Sequence, residues 1–342
     1  MFNIPILDRI LLYILNGNRK RFLADKLNSI YTPVILIFFS LIISSKQLIG
    51  NPINCIVQSE FKSGWENYVE NFCFLAKVAD VSNDEKLPFD MPMREHRSYN
   101  YYAWIPIILT LQSLVFCFPL QFWNYFSTNT QIDYQKYINN ENRSSFLELL
   151  IKKYEQNIWY NNCLLTILYF SLKIINIINI FLQFYMLSKF FGFNFLEWGK
   201  FVLFEDSFEY FPYVSFCDVN ILTVGSVMTH TVQCFFSINL FNKFAFMFIW
   251  FWLLMLLVIN CVTLLYWFLI LSPPYRLFFV RTYVDKKYDY NFVNNFLSAD
   301  LFLTILFIKE SETVLYVSDF LNCLYNLWYN NYKIKFIHLD FV

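Results

Sequence analysis

Four runs of about twenty mostly apolar residues constrain this chain more than any other feature. A bilayer core takes about 20 such residues per crossing helix. The runs are Ser29–Ile49 (SIYTPVILIFFSLIISSKQLI), Tyr101–Phe122 (YYAWIPIILTLQSLVFCFPLQF), Cys163–Leu187 (CLLTILYFSLKIINIINIFLQFYML) and Phe244–Leu271 (FAFMFIWFWLLMLLVINCVTLLYWFLIL). Lys46 and Lys173 are the only charged residues in them. Four core helices of a soluble protein are the alternative. Composition argues against it: only 15% of residues are charged, where soluble domains carry roughly 25%. The expected fold is therefore an all-α polytopic membrane protein, a four-helix transmembrane bundle.

Other classes fall away. A disordered chain has low hydrophobicity and high net charge; here 57% of residues are apolar and the net charge is zero. Zero net charge also gives no basic footprint for nucleic acid. HExxH, G-x-S-x-G, Walker and Rossmann patterns do not occur. The three histidines, His96, His230 and His338, are scattered. The reading is of a non-enzyme with no cofactor and no metal. No internal repeat is evident, which argues against a transporter built from inverted repeats.

Four spans place both termini on one side, and the positive-inside rule chooses which. Residues 1–28, 123–162 and 272–342 hold sixteen Lys and Arg; residues 50–100 and 190–243 hold seven. The expected order is a cytoplasmic N-terminal helix (1–28), the first span (29–49), an outer loop (50–100), the second span (101–122), a cytoplasmic loop (123–162), the third span (163–187), a second outer loop (188–243), the fourth span (244–271) and a helical cytoplasmic tail (272–342). The apolar run Ile4–Leu15 precedes the basic cluster Arg19-Lys20-Arg21, the reverse of signal-peptide order. Helical stretches in the tail are expected at Phe296–Ile308 and Val314–Trp328.

Eight cysteines divide into two groups. Cys117, Cys163, Cys261 and Cys323 fall in spans, at a span edge or in the tail, and read as small apolar packers. Cys55 and Cys73 lie in the first outer loop, and Cys217 and Cys234 in the second. Even numbers in an oxidising compartment read as disulfides. Four cysteines allow three pairings, and the sequence alone does not choose. Distance from the spans hints at Cys55–Cys234 and Cys73–Cys217, which would staple the two loops into one cap. Zinc is the rival, without CxxC spacing or a histidine cluster to support it.

The same residues resemble a family. Tyr31-Thr32-Pro33, Ser45-Lys46-Gln47 and Gly50-Asn51-Pro52-Ile53-Asn54-Cys55 are similar to the first span and first loop of innexins, the invertebrate gap-junction proteins. Trp65-Glu66-Asn67-Tyr68 and Glu70-Asn71-Phe72-Cys73 resemble the approach to their second loop cysteine. Tyr101-Tyr102-Ala103-Trp104-Ile105-Pro106 resembles the YYQWxP signature, with Ala103 in place of its Gln. Phe211-Pro212, Cys217-Asp218, Thr231-Val232-Gln233-Cys234 and Ile238-Asn239-Leu240-Phe241-Asn242 resemble the second loop. Trp250-Phe251-Trp252 and Leu264-Leu265-Tyr266-Trp267 resemble the fourth span. The chain departs from the family's pattern at Tyr213, Ser237 and Lys243, where the family has Arg, Pro and an acid.

The resemblance implies a plasma-membrane gap-junction subunit. Homo- or hetero-oligomeric rings of eight would dock with a hemichannel of the adjacent cell and pass ions and small metabolites. The alternatives are a non-junctional hemichannel and a four-span adhesion or scaffold protein. The resemblance also places the N-terminal segment, with Phe2 and Ile4, at the pore entrance; the competing reading is an interfacial helix lying on lipid. Tyr101, Tyr102 and Trp104 open the second span. Pro106 reads either as a gating hinge or as a plain helix-start proline. In the third span Lys173, Asn176, Asn179 and Gln183 share one helical face. They read as pore lining or, preferably, as polar glue between helices. Glu60, Glu66, Glu70, Asp80, Asp84, Glu85 and Asp90 crowd the first loop, and could favour cations or Ca²⁺ if a ring repeats them; an ordinary solvated surface explains them as well.

Overall fold

The structure is a computed structural model that describes residues 22–57, 63–75, 78–79, 98–99, 101–128, 163–204, 211–283, 292–311 and 314–339. Its frame is four long apolar helices. The first is a rod over Leu23–Leu48. It comprises α1 (Leu23–Lys26), a π-helical stretch (Leu27–Tyr31) and α2 (Thr32–Leu48). After the short α3 (Ser63–Leu75), α4 (Ile105–Thr128) is the second long helix, opened by a 3₁₀ turn at Tyr102–Trp104. The third is α5 (Leu164–Phe191), followed by the short α6 (Phe195–Phe204); the fourth is α7 (Ser237–Ile270).

All four are long and apolar enough to cross a membrane. Several outrun the apolar segments expected from sequence. At 1.5 Å per residue, the 34 residues of α7 extend about 50 Å, well beyond a core of about 30 Å. Once a helix is propagating, each further residue adds a hydrogen bond, so polar flanks continue it. On α7, Phe248, Phe251, Met255, Val258, Val262 and Leu265 recur at spacings of three and four and are all exposed. A continuous outward apolar stripe of this kind marks a lipid or protein contact face.

The chain divides into two compact units. The first draws its described residues from 1–31, 117–178 and 257–342. Beside the helix ends it holds α8 (Pro273–Tyr283), a π-helical turn (Phe292–Phe296), α9 (Ala299–Ser311) and α10 (Val314–Leu339). Residues 301–308 of α9 are buried on every side, as befits the central helix of a core. Trp123, Tyr169, Trp267, Phe279, Phe302 and Phe307 are part of that core. The expected tail helices correspond to α9 and α10.

The second unit comprises described residues of 32–116 and 179–256. The loops here carry a five-stranded antiparallel sheet that the sequence reading did not include. Its strands are β1 (Asn54–Ile56), β2 (Val78–Ala79), β3 (Ser98–Tyr99), β4 (Val214–Thr223) and β5 (Ser226–Phe235), in the order β1-β5-β4-β2-β3. β4 and β5 form a hairpin in register from Val214↔Phe235 to Thr223↔Ser226. Its turn is Val224-Gly225, with Gly225 at φ 95°, a conformation that glycine adopts without steric cost.

Candidate functional site: the stapled cap and the polar helix contacts

The cap is built on period-2 alternation. Ser215, Cys217 and Val219 of β4, with Val232 and Cys234 of β5, are all buried, so they line one face of the hairpin. Cys55 of β1 stands opposite Cys234 in the strand register. The two are bonded, with Cα atoms 4.0 Å apart. Helix α3 brings Cys73 to Cys217, with Cα atoms 5.8 Å apart. The Glu70 carboxylate on α3 accepts the Cys55 N–H at 3.3 Å. Each bridge thus joins the first loop to the second, in the pairing that distance from the spans suggested. The sulfurs of Cys55, Cys73 and Cys234 lie within 4.8 Å of one another. That crowding reflects two adjacent disulfides, which leave no thiolate to bind a metal.

The outer half of the hairpin turns apolar side chains to solvent. Leu222, Val224, Val227 and Met228 are exposed around the turn. Burial of the Tyr213 ring at the hairpin's base pushes its phenol up from the usual tyrosine range.

In the same unit α2 and α4 are joined by side chains that bond backbone carbonyls. Ser113 Oγ donates to the Pro33 carbonyl at 3.3 Å, Ser40 Oγ to that of Pro106 at 2.9 Å, and Gln47 Nε2 to that of Tyr102 at 2.9 Å. Thr110 Oγ1 also donates to the Pro106 carbonyl, at 2.8 Å. Tyr102 is buried with its ring 4.9 Å from that of Phe236, and Tyr101 packs edge-on to Phe191 at 5.2 Å. Trp104 is exposed. Gln183 donates to the Gln112 carbonyl at 3.4 Å and Asn179 to that of Val115 at 3.5 Å. On α6 the Trp198 ring stacks on that of Phe195 at 5.3 Å, and the Trp250 indole of α7 donates to the Leu196 carbonyl at 3.3 Å.

In the first unit the base of the first helix is tied by its polar side chains. Asp25 pairs with Lys173 and accepts from the Tyr169 hydroxyl at 3.0 Å. Asn28, in the π-helical stretch, exchanges amide bonds with Asn260 at 2.9 and 3.0 Å. The Asp300 carboxylate accepts the N–H groups of Leu165 and Thr166 at 3.1 and 2.8 Å and the Thr166 hydroxyl at 2.6 Å. It serves the start of α5 as an N-cap drawn from 134 residues away. Arg276 donates to the Leu271 and Leu297 carbonyls at 2.8 and 3.2 Å, a cation at the end of α7. Burial pulls its guanidinium below the usual arginine range.

The family model for innexins matches residues 23–328. The chain belongs to the innexin family. It is 30% identical to Innexin unc-9 of Caenorhabditis elegans over 80% of this chain and 81% of that protein. It is 27% identical to Innexin-11 and 28% identical to Innexin-3 of the same organism, over 89% and 91% of this chain and 78% and 84% of those proteins.

For this innexin the structure brings together some of the sequence-selected residues and leaves others apart. Cys55, Cys73, Cys217 and Cys234 converge in the cap. Tyr101, Tyr102 and Pro106 gather where α4 begins. Lys173, Asn176, Asn179 and Gln183 are all buried, the arrangement of interhelical glue. Phe2 and Ile4 lie outside the described residues, as do most of the first-loop acids; Glu66 is exposed and Glu70 serves Cys55. Sequence reasoning assigned no role to Asp25, Ser40, Gln47 or Asp300. One signal was available: Lys173 in an apolar span asks for an acid, and Asp25 borders the first span. The hairpin had its own signal in the alternation of Val214–Thr223 before a glycine turn.

Proposed function

We propose that this innexin is a gap-junction channel subunit. Subunits assemble as an eight-membered ring in the plasma membrane, with both termini in the cytoplasm. The ring docks through the stapled cap with a hemichannel of the adjacent cell and passes ions and small metabolites by passive diffusion. The observation that carries this reading is the cap. Two disulfides join both loops to one sheet, and that sheet projects a hairpin with exposed Leu222, Val224, Val227 and Met228. A rigid apolar tip suits contact with another protein. Phe2 and Ile4 belong to the pore-entrance segment in this reading, and Pro106 to a joint in the second span. Chemistry on a bound substrate has no part in it.

Electrical recording from paired cells expressing the chain tests it. Coupling between the pair is expected, with loss of coupling in Cys55→Ser or Cys234→Ser. Currents confined to single cells would replace the junctional reading with a non-junctional hemichannel. Adhesion without either current would make the chain a scaffold.

A further inference from the structure

Pro106 has no N–H, so the Tyr102 carbonyl, one turn back, lacks its α-helical donor. Among the described residues, two groups serve it instead. The Ile105 N–H reaches it in a 3₁₀ bond, which tightens the turn. The Gln47 amide reaches it at 2.9 Å from the first span. A helix interrupted this way bends between Tyr102 and Pro106 without breaking a backbone bond of the ordinary ladder. What bending must break is the bond from Gln47. At the start of α4, Ser40 and Thr110 grip the Pro106 carbonyl, and Ser40 is itself buried. Ser40 and Gln47 are seven residues apart and so share one face of α2. The first helix therefore holds the proline joint on both sides. Gln47 is the outer grip, eight residues before the disulfide-bonded Cys55.

We propose that Gln47 is the positioning residue of the channel's gate: its amide substitutes for the N–H that Pro106 lacks and latches the second span to the first. The proposal rests on the reading of Pro106 as a joint. Its chemistry gives a test that does not depend on the direction of the motion. Pro106→Ala returns an N–H to the Tyr102 carbonyl, so the helix closes its own ladder and the Gln47 amide becomes redundant.

The test is a double-mutant cycle of Gln47→Leu and Pro106→Ala in the full-length channel, read as the voltage dependence of junctional and single-cell currents. A hydrogen bond of ordinary net strength sets the expected size, about a threefold to tenfold change in the open-to-closed ratio. Gln47→Leu is expected to produce it in the native background and to have little effect beside Pro106→Ala. Equal effects in both backgrounds would overturn the latch, because Gln47 would then act elsewhere. A gating change from Pro106→Ala with none from Gln47→Leu would overturn the latch and keep the joint. Unchanged gating in every variant would overturn both. Where a variant carries no current, the thermal midpoints of the four detergent-purified proteins complete the cycle: non-additive shifts support the latch, and additive shifts overturn it.

Discussion

Asp25 and Lys173 form an ion pair closed off from solvent, 148 residues apart in the chain. The Lys173 side chain is 1% exposed and that of Asp25 is 11%. The Tyr169 hydroxyl occupies the second carboxylate oxygen, and the Lys173 ammonium lies 4.7 Å from the centre of the Tyr169 ring. Among the described residues, the Lys173 and Asp25 charges match each other, which is what a charge at membrane depth requires.

Removing one partner should therefore be costly. Lys173→Met or Asp25→Leu should each destabilise the protein by about 3–5 kcal/mol, because each leaves the other buried charge without its partner. The double variant Asp25→Leu with Lys173→Met should recover most of the loss. Thermal denaturation of the detergent-solubilised protein measures this. A double variant as unstable as the two singles summed would contradict the account.

The disulfides should show a specific non-additivity. Taken alone, Cys73–Cys217 closes a separation of 144 residues. With Cys55–Cys234 in place it closes only the two short segments between the bridges, a ring of roughly 35 residues. Losing either bridge should cost about 4 kcal/mol, and losing both should cost more than twice that, by about 1 kcal/mol. Unfolding midpoints of Cys73→Ser, Cys55→Ser and a variant lacking all four cysteines provide the comparison.

Asp300 should matter more than its place in the tail suggests. Asp300→Ala strips two N–H groups and a hydroxyl of their buried acceptor. The expected loss is about 2–3 kcal/mol, with amide exchange at Leu165 and Thr166 speeding up. Asp300→Asn, which keeps one acceptor oxygen, should fall between the two. Unaltered exchange in Asp300→Ala would exclude the cap.

Gly199 should tolerate no side chain. A Cβ there would stand 1.8 Å from the Trp250 ring, so Gly199→Ala must displace the indole that donates to Leu196. A loss of about 1–3 kcal/mol is expected from overpacking. Gly199→Ala combined with Trp250→Leu should be less damaging than the two single changes summed, as judged by yield and thermal midpoint.

Much of the scaffold was legible in sequence because it is local. Twenty apolar residues in a row suit a spanning helix whatever they pack against, and four such runs are present. The cysteines could be sorted by their position relative to those runs. The sheet was less legible: short β1 pairs with β5 and short β2 with β4, segments far away in the chain, with β3 added at the edge of β2, and β-structure depends on such context.

By itself, then, the sequence determined the four apolar helices, the grouping of the cysteines and the innexin motifs, each carried by residues near one another in the chain. Only the tertiary structure decided the disulfide pairing, the acid that answers Lys173, the donor that replaces the missing N–H of Pro106 and the carboxylate that caps α5. The physical reason is common to all four. A buried charge, thiol, carbonyl or N–H needs a partner, but that need does not specify where along the chain the partner lies. Packing supplied Asp25, Gln47 and Asp300 from 148, 55 and 134 residues away.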